Sequence, residues 1–161
     1  MLMKLKELKP NEMHQLSGYL EAVSDFLRTG EIRWNFEVRL FEVDVATFDL
    51  IEFLKEVYPD SKPRPEKICN SSLEGILTTL KHELDRFASS ELRGRIRPVT
   101  TGTGEMWIYL QQCIDLKDCR FYEYMSSERD EILNGLMGDL AIILLNERLA
   151  RCLLLLAATS D

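Results

Sequence analysis

The stretch "DLAIILLNERLARCLLLLAA", residues 139–158, decides the architecture of this chain. It is apolar on both faces, which suits a buried hairpin, and its Leu/Ala content also suits a buried helix. Asn146, Glu147 and Arg148 break the apolar run near its centre, so a hairpin turning at 146–148 is the preferred expectation. The wider apolar region, 136–159, is also interrupted by Asp139 and Arg151. Its unbroken runs fall well short of the roughly 20 residues that a spanning helix needs. It is therefore expected to be core of a soluble, cytoplasmic protein, and the N-terminal "MLMKLKELKP" lacks the apolar stretch of a secretory signal.

Outward from this core, "EIRWNFEVRL" alternates, with Ile32, Trp34, Phe36, Val38 and Leu40 on one side of a half-buried strand. Residues 11–28 carry Met13, Leu16, Leu20, Val23 and Leu27 at helical spacing, with Asn11 placed to cap and Gly30 to terminate. Residues 44–60, "DVATFDLIEFLKEVYPD", predict a helix capped by Asp44, followed by the proline-rich loop "YPDSKPRPEK". "SSLEGILTTLKHELDRFA" predicts another helix, with Ser71 and Glu74 at capping-box spacing. Of the rest, "LRGRIRPV" is expected as a strand and "SSERDEILNGLM" as a short helix, while "MWIYLQQCI" and "CRFYEYM" are expected as paired strands turning at Leu116–Lys117. The expected fold is α+β, one domain over 1–161, with helices packed on one face of a mainly antiparallel β-sheet.

The 161 residues are 45% hydrophobic and 29% charged, in keeping with one globular domain. The net charge of −7 disfavours nonspecific binding to nucleic acid and favours a basic protein partner. The same charge also serves plain solubility. Residues 31–60 concentrate it, with eight acids against three bases. The cysteines, Cys69, Cys113, Cys119 and Cys152, show no C-x-x-C spacing, so reduced thiols are expected.

Asp49, Glu52 and Glu56 recur at helical spacing and so share one face of the expected helix. Three roles suit such a face: a solvated surface, a docking face for a basic protein, or half of a divalent-metal site. The metal role resembles the E-x-x-E helices of all-α nucleotide pyrophosphohydrolases of the MazG type. Those use a second acidic pair, for which this chain offers only "KHELDR" and "SERDEI". Arg93, Arg95 and Arg97 would point the same way on a strand and suit an anion or internal pairing, but no glycine-rich phosphate loop accompanies them. His14 and His82 have no partner at H-x-x-x-H spacing, and no histidine or acid can be tied to Cys69. No catalytic residue, metal or cofactor is assigned.

In size, acidity and α+β layout, with the acidic helix and an apolar C-terminal strand pair, the chain resembles bacterial immunity and antitoxin proteins. That resemblance implies a non-enzymatic module that neutralises a basic partner such as a nuclease toxin, by electrostatic steering and then occlusion. Asp49, Glu52, Glu56, Asp115, Asp118 and Glu123 are the candidate contact residues. A small metal-dependent hydrolase and a structural subunit of a larger assembly are the alternatives.

Overall fold

The computed structural model describes residues 3–26, 33–85, 104–126 and 139–160. Residues 139–158 form the hairpin at the centre of the fold. β5 (Asp139–Asn146) and β6 (Arg151–Ser160) pair antiparallel around the turn 147–150. They sit in the middle of a six-stranded sheet of order β1-β2-β6-β5-β4-β3, completed by β1 (Lys6–Leu8), β2 (Arg33–Glu42), β3 (Ile68–Ser71) and β4 (Cys119–Ser126). Every neighbouring pair is antiparallel.

Both faces of the central hairpin are covered, which is why its sequence shows no alternation. Leu140, Ile142, Leu144, Leu153, Leu155 and Ala157 point to one face. There they meet α1 (Asn11–Phe26), α3 (Leu73–Asp85) and α4 (Glu105–Ile114) through Leu16, Leu20, Ile76, Leu80, Trp107 and Leu110. Ala141, Ile143, Leu145, Cys152, Leu154 and Leu156 point to the other face, where they meet Phe53 and Leu54 of α2 (Leu50–Val57). The expected α+β class holds. Among the described residues α1, α3 and α4 share one face, but the acidic α2 lies on the opposite one, so the helices do not all pack on a single face as expected.

Three local expectations are corrected. Residues 105–114 are helix, not strand: Met106, Trp107, Leu110, Cys113 and Ile114 are buried at helical spacing, while Ile108 is 54% exposed. α4 ends on Asp115, which takes the left-handed conformation at φ 55°. Asp tolerates this better than most non-glycine residues. A short 3-10 turn, Leu116–Asp118, then leads into β4, so no hairpin turns at Leu116–Lys117. The helix expected over 44–60 is divided. Asp44 caps the 3-10 turn Val45–Thr47, and Asp49 is the N-cap of α2, its Oδ1 accepting from the Glu52 amide at 2.9 Å. The α3 cap moves by one residue, because Ser72 Oγ accepts from the Gly75 amide at 3.1 Å. The strand expected at 92–99 and the helix expected at 126–137 lie outside the described residues.

The hairpin turn also fastens the end of α4. Asn146, fully buried, donates through Nδ2 to the Ile114 carbonyl at 2.7 Å and to that of Asp115 at 3.3 Å, and its Oδ1 accepts from the Leu149 amide at 3.0 Å. Arg151 donates to the Cys113 carbonyl at 3.1 Å. Helix C-termini leave their last carbonyls without intrahelical donors, and here the sheet supplies them.

Candidate functional site

The six candidate contact residues fall in three places. Asp49, Glu52 and Glu56 are exposed on the α2 side of the sheet. Asp49 is drawn off the helix face by its capping role, so Glu52 and Glu56 form the carboxylate row. Glu37 of β2 is on the same side, since its cross-strand partner Leu156 faces α2. It accepts a hydrogen bond from the Tyr58 hydroxyl at 3.0 Å. Burial and the neighbouring Glu37 carboxylate push the Tyr58 phenol far above its ordinary range, so it stays a donor.

Two bases on this side are paired within the molecule. Arg39 grips Glu7 with two bonds, at 3.1 and 2.9 Å, and stacks over Phe41 at 5.1 Å. This pairing holds the Glu7 carboxyl below its usual range. Lys55 meets Glu52 at 3.0 Å, an exposed pair of the kind that contributes little to stability. Among the described residues, Glu56 and Asp60 then extend the negative surface with no base paired to them.

Asp115 and Asp118 stand at the turn end of the sheet, where both are held by Arg148, at 3.0 and 2.9 Å. Asp115 also accepts from Gln111 Nε2 at 2.9 Å. Their charge is largely spent inside the molecule, tying the start of β4 to the hairpin turn. Glu123 lies on the three-helix face, because its partner in β5 is Ile142. Its Oε1 is buried, with no hydrogen-bond partner among the described residues. The structure thus gathers the α2 acids and separates Asp115, Asp118 and Glu123 from them.

Among the described residues, no group of three or more His, Cys, Asp or Glu side chains is arranged to hold a metal ion. No helix of the described residues is long and apolar enough to cross a membrane. Arg93, Arg95 and Arg97 lie outside the described residues.

The four cysteines are free thiols. Burial pushes Cys113 up to about 11, aided by Glu12, and Cys119 up to about 12, aided by Asp115 and Asp118. Burial also holds Cys152 well above the ordinary value of 9.0. Only Cys69, on the edge strand β3, is exposed. A thiol-disulfide dye at neutral pH should therefore label Cys69 rapidly and the other three only on unfolding, since access and thiolate fraction set the rate.

The same shifts carry a pH dependence. A raised native thiol pKa favours the folded state while the unfolded thiol is protonated. That contribution is complete below pH 9.0 and is lost as pH climbs towards about 12. The melting temperature of Cys119→Ala should decline less steeply above pH 9.0 than that of the parent protein.

No protein-family model matches the chain, and no curated protein matches it. Two solved structures of citrus MAF1 do resemble it. The crystal form in space group P 31 2 1 is 16% identical with a TM-score of 0.55, covering 87% of this chain and 97% of its own. The form in C 2 2 21 is 15% identical with a TM-score of 0.57, covering 88% of this chain and 99% of its own. The likeness establishes a shared fold over nearly the full length of both chains.

Proposed function

We propose that this chain is a MAF1-type, non-enzymatic protein-binding module that engages a basic protein through the acidic α2 side of its sheet. The observation that carries this is the exposed row of Glu52 and Glu56, flanked by Asp49 and Glu37, mounted on a helix anchored by Phe53 and Leu54. A rigid scaffold that displays charge of one sign steers an oppositely charged partner and fixes its register. The near end-to-end likeness to MAF1 supports placing the chain in that fold group. Neutralisation of a basic nuclease toxin is a narrower version of the proposal and draws no support from that likeness. The four free thiols suit a reducing, cytoplasmic setting.

The test is association with a fluorescein-labelled arginine-rich peptide. The variant carries Glu52→Lys and Glu56→Lys with Asp49→Asn, because asparagine keeps the helix cap while removing the charge. At low salt the variant should associate roughly tenfold more slowly, and the difference should shrink as salt screens the field. Equal rates at low salt would remove α2 from the interface.

A role as a subunit of a larger assembly draws on one separate feature. On the three-helix face, Leu73, Trp107, Ile108, Leu116 and Phe121 line an apolar groove of about 710 Å³. Exposed apolar surface of this kind is common at permanent interfaces.

A further inference from the structure

A cleft of about 430 Å³ opens where the 3-10 turn and first turn of α2 lie over the edge of the sheet. Phe48, Ile51 and Leu145 supply apolar walls, and Asp49, Glu147 and Arg120 bring charge to it. Resting on the protein-binding function proposed above, we infer that this cleft receives a partner segment in which an apolar side chain stands beside a lysine or arginine.

Three observations support that occupant. The volume lies within the range of ordinary ligand pockets and suits one or two side chains better than a folded surface. The charge is net acidic and partly pre-positioned: Asp49 is fixed by its bond to the Glu52 amide, which engages Oδ1 and leaves Oδ2 for an incoming donor. The remaining pair, Arg120 to Glu147 at 3.3 Å, is 65% and 42% exposed. Such pairs contribute little, so an arriving cation can replace Arg120 on Glu147 at small cost. An apolar floor with a carboxylate rim matches an aliphatic side chain followed by a basic one.

The test uses a short fluorescein-labelled peptide alternating leucine and arginine, read by anisotropy and by amide shifts of the 15N-labelled protein. Serine-for-leucine and glutamate-for-arginine peptides serve as controls. The expected result is tighter binding of the leucine–arginine peptide than of either control, with shifts at Phe48 and Leu145 for that peptide alone. Asp49→Asn with Glu147→Gln should weaken it roughly five- to tenfold, and Ile51→Gln should weaken it further. Both charge positions are exposed, so that pair of substitutions decides the matter even if Ile51→Gln fails to fold.

Equal affinity for the serine peptide, or indifference to Asp49→Asn with Glu147→Gln, would overturn the cleft. If such binding were instead lost on Glu52→Lys with Glu56→Lys, the acidic-face function would stand without the cleft. No binding of any arginine-bearing peptide at low salt would overturn both.

Discussion

Trp107→Ala should cost about 3–5 kcal/mol of folding stability, whereas Ile108→Ala should change it by no more than about 0.5 kcal/mol. Trp107 is 1% exposed and packs in the cluster with Leu110, Ile114 and the central strands, while its neighbour is 54% exposed. Truncating the indole removes a large apolar area and leaves a cavity that the close-packed sheet cannot collapse to fill. Urea denaturation of the two variants reads this directly as a displaced midpoint with an unchanged slope. A strand over 106–114 would place Met106, Ile108 and Leu110 on one face and Trp107 and Tyr109 on the other. Equal losses at Trp107 and Ile108 would contradict the helix and its orientation.

Asn146→Leu should cost about 3 kcal/mol, although leucine is nearly isosteric and more apolar. The side chain is fully buried and makes three hydrogen bonds, two to the carbonyls that end α4 and one from the Leu149 amide that shapes the hairpin turn. Its loss strands buried polar atoms at roughly 1–3 kcal/mol each. Ala150 in the same turn already sits at φ 51°, a conformation unfavourable for a residue with a Cβ. The turn therefore has little slack to recover the lost bonds. The loss should register as a lowered melting temperature together with faster amide exchange at Asp115 and Leu149. A melting temperature equal to that of the parent would show that Asn146 does not hold helix to hairpin.

The three polar residues that break the C-terminal apolar run mark the hairpin turn. Asn146 holds its last paired position, and Glu147 and Arg148 occupy the turn. What decides the fold was thus legible in that run, as was the alternation that sets β2. The same was not true of 106–114, where Trp107, Ile108 and Tyr109 favour strand by composition. The helical signal was nevertheless present, since Met106, Leu110 and Cys113 recur at intervals of four and three with Trp107 and Ile114 beside them. Composition obscured periodicity.

The candidate site was legible only in part. Asp49 and Glu52 stand three apart, the spacing of a capped first turn as much as of a carboxylate row, and the cap is what forms. Asp115 and Asp118 were drawn into ion pairs by Arg148, thirty or more residues away in sequence, a pairing that no local pattern announces. The face taken by Glu123 follows from β4 pairing with β5, which the expected pairing of β4 with 106–114 had displaced.

The central claim, that the α2 side recruits a basic protein, is tested most directly by carrying the charge comparison into native lysate. The parent protein and the Asp49→Asn, Glu52→Lys, Glu56→Lys variant are immobilised side by side at low salt, and retained proteins are identified as salt is raised. The account predicts a basic protein held by the parent, missing from the variant and released with rising salt. The same proteins on both surfaces, or none on a folded parent, would contradict it.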